Sequence, residues 1–518
     1  MGGIGFGRLR SGFYKVFGGK KDRGTQDGAG GDKNTDKPSF QRGVHGSIIE
    51  GRATRGCGLV LETILSETSI TEDAAVHRVN LWLEWLELIT SLYNFLYSVA
   101  LAVALVASLP YWIFQMARHG KYRKGLAERL GEVPERIRLP ERQDSTIWVH
   151  AVSVGEVLAV AGLVDELQRR FPRHRIFVST TTDAGQMLAR KRFGEANVFY
   201  FPMDFAFAIR PYLRALHPEL VIIAETEFWP NFMRLAHGTG ARIAIVNARI
   251  SDRSRPRYRR FRGLIGKVLA NVDLFLAQTE EDATRLRDIG AIAARVRVTG
   301  NLKFDIPVPA PPPIVKRVRK SIRASRADPV LVCGSTVDGE EPLLLKAFEN
   351  VLVQHPNAVM ILAPRHPERF PAVAELLQQM SIRFCRRSLW NDEPLNAGVF
   401  LLDTIGELAA LYALADVAFV GGSLVPRGGH NIIEPAQHGV ATVVGNHTDN
   451  FRDIVNLFQS RDAVRVVGPA ELPLVFLELL ANDTERKALG LRAAETMRSQ
   501  IGATARTADE LQRMMEQE

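Results

Sequence analysis

Five prolines fall within residues 306–313, I-P-V-P-A-P-P-P, and no other stretch limits the fold of this 518-residue chain as strongly. Proline fixes φ and lacks an N–H, so neither a helix interior nor a central strand runs through such a segment. On both sides of it the sequence repeats one theme. Short runs rich in Val, Ile and Phe alternate with longer amphipathic stretches. The first series has I-W-V-H-A-V from 147, R-I-F-V-S from 175, L-V-I-I-A from 220, R-I-A-I-V from 242, L-F-L-A from 274 and a last run at 296–299. The second has runs at 330–333, 359–362, 399–402, 417–420, 442–444 and 464–467. Such alternation predicts parallel β-α units. The fold class is therefore α/β: two Rossmann-like, doubly wound parallel-sheet domains, residues 117–305 and 314–518, facing a cleft and joined by the linker 306–313.

Ahead of the first series the composition changes. Residues 1–80 are rich in Gly, Lys, Arg and Asp and predict a disordered basic arm. Residues 88–114 carry no charged side chain, a run of 27, which exceeds the ~20 residues a helix needs to cross a bilayer. Trp82, Trp85, Tyr111 and Trp112 flank it as interface aromatics would, and Arg118, Lys121, Arg123, Lys124 and Arg129 follow. The expectation is a membrane-anchor helix over 81–116, spanning or lying in the interface, at an inner (plasma) membrane with the catalytic domains cytoplasmic. A net charge of +9 suits an anionic partner. Three cysteines without a C-x-x-C pair fit a reducing compartment and no structural zinc.

In doubly wound sheets ligands sit beyond the carboxyl ends of the strands, so chemistry is sought just after each apolar run. S-V-G-E at 153–156 places Glu156 at a loop-to-helix junction, where it is either a first-turn Glu favoured by the helix dipole or a general base. E-T-E-F-W-P-N at 225–231 supplies Glu225 and Glu227, two residues apart and aimed to one side if the strand continues. Arg249 in N-A-R-I-S and Lys303 in G-N-L-K-F-D stand where they would meet an anion. In the second half A-P-R-H-P-E-R-F, D-T-I-G-E-L and V-G-G-S-L-V-P-R-G-G-H-N-I-I-E-P each follow a strand. The last reads as a glycine-rich phosphate cradle with Asn431 as helix N-cap and Glu434 three residues on, as in a capping box. No D-x-D occurs, so a carboxylate pair of that kind for a divalent metal is not expected. The run R-S-R-P-R-Y-R-R-F-R at 253–262 interleaves arginines with aromatics, which suits a phosphorylated lipid or anionic bilayer beside a membrane helix, or else a solvated helix face.

With H-A-V-S-V-G-E, A-E-T-E-F-W-P-N, N-A-R-I-S, G-N-L-K-F-D, A-P-R-H-P-E-R-F and F-V-G-G-S-L-V-P-R-G-G-H-N-I-I-E-P-A in order, the chain from about residue 88 onward resembles the Kdo (3-deoxy-D-manno-octulosonic acid) transferases of lipopolysaccharide assembly. The resemblance implies a GT-B glycosyltransferase that moves Kdo from CMP-Kdo to the lipid A precursor, lipid IVA, by a metal-independent inverting mechanism. It implies Glu156 as general base, and Glu225 and Lys303 as transition-state stabilisers. Pro364, Arg365, Ile405, Gly406, Glu407, Asn431, Ile432, Ile433 and Glu434 would be the CMP contacts. No separate cofactor, metal or nucleic-acid partner is implied. The alternatives are another GT-B transferase using a nucleotide diphosphate sugar, or a membrane-tethered nucleotide- or nucleic-acid-binding protein without catalysis.

Overall fold

The computed structural model describes residues 92–518 apart from 94, 111, 115–117, 119–124, 139–144, 253, 307–311, 397 and 518. The basic arm expected over 1–80 and the centre of the proline segment lie outside the described residues.

The first sheet has seven strands: β1 Thr146–His150, β2 Arg175–Thr180, β3 Val198–Tyr200, β4 Pro218–Ala224, β5 Arg242–Ala248, β6 Leu274–Ala277 and β7 Val296–Val298. The second has β8 Val330–Thr336, β9 Val359–Pro364, β10 Phe384–Arg386, β11 Gly398–Leu401, β12 Val417–Val420, β13 Ala441–Gly445 and β14 Arg465–Val467. Every strand pair is parallel. The spatial orders are β3-β2-β1-β4-β5-β6-β7 and β10-β11-β9-β8-β12-β13-β14. Each order reverses once, between β1 and β4 and between β8 and β12, and those two switch points are where loops diverge and leave a crevice.

The central strands are buried on both faces, with Ile147, Trp148, Val149, Val221, Ile222 and Ile223 fully covered in the first sheet and Leu331, Val332, Ile361 and Phe419 in the second. Two-sided burial by helices explains why these strands read as unbroken apolar runs. The three-residue edge strands β3 and β10 are missing from the sequence runs, whereas β7 and β14, edge strands of the same length, are among them. The chain also crosses back at its end. Helix Ala503–Glu516 packs Ala503, Ala508 and Leu511 into the core beneath the first sheet. Asp305 holds its start by accepting from Gly502 N at 2.7 Å, and Arg506 Nε donates to Thr299 O at 2.9 Å. The first domain is thus completed by residues from within the stretch 314–518.

The apolar run 88–114 falls only partly within the described residues. Residues 95–110 are helical, yet no helix among the described residues is long and apolar enough to cross a membrane. One face is committed to protein. Tyr93 packs on the first domain's core, Tyr97 Oη donates to Asp204 Oδ2 at 2.9 Å, and Asn231 Nδ2 donates to Ser98 Oγ at 3.2 Å. Ser108 turns its hydroxyl back onto the carbonyl of Ala104 at 2.8 Å. Tyr97 and Ser98 dock the segment, and Ser108 bonds within its own helix. The other face leaves Phe95, Leu96, Val103, Val106 and Ile113 exposed.

Candidate active site

Glu156 lies in the first turn of helix Val154–Arg170, with Ser153 as N-cap residue. Its Oε2 accepts from Val152 N at 2.7 Å and its Oε1 from Ser153 Oγ at 3.0 Å. The side chain therefore caps its own helix, and it does so almost out of solvent, at 8% exposure. Burial raises its pKa to about 7 and the neighbouring charge of Glu225 adds to the rise, against the two hydrogen bonds. The two hydrogen bonds fix the carboxylate, and burial leaves it with a pKa near neutrality.

Glu225 comes from the other side of the first switch point. The condition under which Glu225 and Glu227 would be aimed to one side, that β4 continues through them, is not met. The strand ends at Ala224, and Glu225 takes a left-handed conformation with φ 57° while its N–H still bonds Val246 O at 2.9 Å. A non-glycine residue in that region is held by its surroundings at some cost in strain. The turn aims the carboxylate at Lys303, whose Nζ meets Glu225 Oε1 at 2.8 Å. The lysine is placed by a relay of side chains. Asn247, itself at φ 53°, accepts Leu302 N at its Oδ1 at 3.0 Å, and Asn301 accepts Lys303 N at 3.0 Å. Gln278 links the two through Asn247 O and Asn301 Nδ2, at 2.9 and 2.8 Å. N-A-R-I-S and G-N-L-K-F-D are therefore one hydrogen-bonded unit. The lysine ammonium also sits 5.7 Å from the ring centre of Phe451, which belongs to the second domain.

Arg249 is engaged within the protein as an ion-pair partner, the other use open to a lone cation. Its guanidinium is taken up by Asp453 at 2.9 Å and donates to the carbonyls of Asn450 and Asp449 at 2.9 and 3.2 Å. It joins the loop after β5 to the loop after β13, and so brings the carboxyl ends of the two sheets face to face.

On the second domain the glycine-rich loop is already filled. Glu340, fully buried, accepts Gly422 N at 2.7 Å and Val337 N at 3.0 Å on Oε2, and Ser423 N at 2.9 Å and Leu424 N at 2.8 Å on Oε1. The first arm of the loop expected to cradle phosphate thus cradles the protein's own carboxylate, because β8 and β12 are neighbours at the second switch point and the loop after β8 delivers Glu340 there. Gly421 is needed for the close approach: a Cβ would lie 2.6 Å from Ser335 O and 2.8 Å from Glu340 Oε2.

What remains for a ligand is the rim. The N-cap residue of the short helix Ile433–Gln437 is Ile432 and not the expected Asn431, which stands one residue earlier; Asn431 Oδ1 accepts Ile433 N at 3.2 Å, while its Nδ2 is 3.4 Å from Glu434 Oε1. Glu434 is held above the ordinary carboxylate range by burial, opposed by Asn431 and by the nearby Arg365. Arg365 itself is exposed just beyond Pro364, the last residue of β9. Ile405 is 70% exposed and Gly406 has φ 90° with open space around it. The Glu407 carboxylate is spent on Arg387, at 3.1 and 2.9 Å, and on Thr404 at 2.5 Å, so the backbone of 405–407 is the part left to face a ligand.

Glu340, His150 and Asp204 were not singled out by sequence reasoning. His150 is buried, stacked on Phe201 at 3.9 Å and kept neutral by burial, its pKa lowered to about 3. Asp204 caps the helix that follows Trp229, accepting Asn231 N and Phe232 N at 3.1 and 2.8 Å. The available signal for Glu340 was a pair of acids, Glu340 and Glu341, just after a strand, where solvated side chains are the usual reading.

Two doubly wound domains with their carboxyl edges across one cleft are the architecture of the GT-B class. The same fold is found in a putative UDP-N-acetylglucosamine 2-epimerase from Listeria monocytogenes, with a TM-score of 0.53 at 14% identity over 72% of this chain and 98% of that one. Residues 124–306 match the family described as 3-deoxy-D-manno-octulosonic-acid transferase (kdotransferase). The 3-deoxy-D-manno-octulosonic acid transferase of Haemophilus influenzae is 34% identical over 400 residues, 76% of this chain and 92% of that protein. The protein of the same name from Bordetella pertussis is 34% identical over 421 residues, 77% of this chain and 95% of that one. The chain belongs to the Kdo transferase family and is a glycosyltransferase.

Proposed function

We propose that the protein transfers Kdo from CMP-Kdo to the lipid A precursor, lipid IVA, in lipopolysaccharide assembly, with inversion and without a metal ion. The observation that carries this reading is the buried Glu156 with a pKa near 7 beside the Glu225–Lys303 pair. In the proposed step the acceptor hydroxyl gives its proton to Glu156 and its oxygen bonds the anomeric carbon of Kdo. The bond from that carbon to the phosphate oxygen breaks, and its electron pair leaves with CMP. Lys303, steered by Glu225, answers the charge that develops, and Pro364, Arg365, residues 405–407 and Asn431 to Glu434 hold the nucleotide. Product mass spectrometry with lipid IVA tests it: Kdo addition from CMP-Kdo is expected, and transfer from a UDP-sugar with none from CMP-Kdo would reject the donor.

Lys303 and Arg365 offer fixed positive charge to a leaving group that is a monophosphate, which motivates the metal-free reading. Transfer should run at an undiminished rate in excess EDTA; a loss restored by Mg²⁺ would overturn that part.

The exposed apolar side chains of the helix at 95–110 support an association with the inner membrane in which that face meets the interface. Arg257, Arg259, Arg260 and Arg262 are exposed, together with Phe261 and Leu264, and would add attraction to anionic headgroups of about 1 kcal/mol per cation. Reversing three of these arginines to Glu should weaken co-sedimentation with anionic vesicles and flatten its salt dependence, leaving neutral vesicles little changed. Unchanged binding to anionic vesicles would remove the patch from the membrane surface.

A further inference from the structure

We propose that Phe451, in the loop after β13, is a positioning residue for transfer: from across the cleft its ring holds the Lys303 ammonium in place. This rests on the reading above that Lys303 answers the charge of the departing phosphate.

The first domain places Lys303 only in part. The relay through Asn247, Asn301 and Gln278 fixes the backbone at 302 and 303, but a lysine carries its charge at the end of a flexible four-carbon stem with three rotatable donors. One of those donors meets Glu225 Oε1 at 2.8 Å. Neither side chain of that pair is fully covered, at 19% exposure for the lysine and 26% for the glutamate. A second restraint comes from the facing domain, where the ammonium lies over the Phe451 ring, 5.7 Å from its centre. Within about 6 Å the face of an aromatic ring attracts a cation through its quadrupole. The ring takes up no N–H, so the contact steadies the charge and leaves the lysine's other donors for a substrate oxygen.

Phe451 is itself well seated. It is the N-cap residue of helix Arg452–Ser460 and packs against the core of the second domain. Its N–H bonds Thr448 O at 2.8 Å, and the preceding Asn450 donates from N to Gly428 O at 2.8 Å and from Nδ2 to Arg427 O at 3.1 Å. The same short segment is tied to the first domain on both sides of the ring. Arg249 donates to the carbonyls of Asp449 and Asn450 and pairs with Asp453, while Arg452 pairs with Asp252. The restraint on Lys303 thus depends on the two domains meeting at this seam.

No bond to Phe451 forms or breaks in the step. The ring sets where the ammonium stands when the phosphate oxygen gains charge, and losing a contact of this kind corresponds to about a 3–30-fold change in rate.

The test uses the full chain with CMP-Kdo and lipid IVA and compares the parent with F451L, with Phe451→trifluorophenylalanine and with K303A. Fluorine withdraws electron density from the ring face and leaves the ring's shape nearly unchanged. The fluorinated chain should keep the parent melting temperature and the parent KM for the donor and lose about 3–30-fold in kcat; F451L should lose at least as much. In a K303A background fluorination should change nothing further. Parent kcat in the fluorinated chain overturns the proposal, since any loss in F451L is then one of packing, and so does an equal further loss on fluorinating K303A. K303A also separates the proposal from the reading beneath it. A K303A chain with parent kcat rejects the role of Lys303 and that of Phe451 with it, whereas a K303A chain that loses kcat beside a fully active fluorinated chain rejects Phe451 alone.

Discussion

Glu156→Gln lowers kcat by about 10²–10⁴, the range expected for loss of a general base, while CMP affinity stays at the parent value. Gln keeps the shape and can still accept Val152 N, so helix Val154–Arg170 keeps its cap and the charge alone is removed. The pH dependence follows from the same residue. Its pKa is raised from 4.5 to about 7, and the working form is the carboxylate, so kcat rises with pH through about 7 and levels off above. The stability sign is opposite. A carboxyl whose folded pKa exceeds its unfolded value is favoured in the fold as the neutral acid, so its ionisation withdraws stability as pH climbs from 4.5 through 7. The inactive Gln variant should therefore melt at a higher temperature than the parent above pH 7. Glu225→Gln removes the second cause of the shift and should move the acid limb to lower pH as well as reducing the plateau. A Glu156→Gln enzyme with full kcat and an unmoved profile would end the assignment.

Glu340→Ala strips four buried amides of their acceptor at once. Hydrogen bonds to a charged group contribute about 1.5–3 kcal/mol each, and an orphaned buried donor costs about 1–3 kcal/mol, so the loss should be at least about 4 kcal/mol even after the loop relaxes. Glu340→Gln is the sharper probe. Its amide presents N–H to N–H on one side, so it should lose roughly half as much while conserving volume. The effect should appear as a lowered melting transition and, because Gly422 to Leu424 set the position of the loop that ends at Asn431, as weakened CMP binding. Calorimetry with and without CMP reads both. If Glu340→Ala melts with the parent, the carboxylate is not what holds the loop.

Much of this site is local in origin and so was open to sequence reasoning. Strand runs buried on both faces are continuous in sequence, and the groups that follow them, Glu156, Glu225, Lys303, Arg365 and Asn431, stand at strand ends because the topology of a doubly wound sheet puts all its loops of one kind on one edge. The hydrogen bonds of Glu156 to Val152 N and of Asn431 to Ile433 N are likewise a matter of two to four residues. The edge strands β3 and β10 are missing from the sequence runs although β7 and β14, equally short edge strands, are among them, and hydropathy does not record which face of residues 95–110 the protein claims; Tyr97 and Asp204 meet across 107 positions.

The sequence by itself determined two parallel α/β domains, the edge on which their chemistry lies and the family to which the chain belongs, all of them carried by short-range periodicity and motif. Only the tertiary structure decided the partners: Lys303 with Glu225, Arg249 with Asp453, and Glu340 with the loop after β12. The reason is that charge compensation and the filling of backbone donors act through space at about 3 Å, and which residues come that close is set by strand order at the two switch points. Residues 340 and 422 are separated by 82 positions in the chain and by 2.7 Å in the fold.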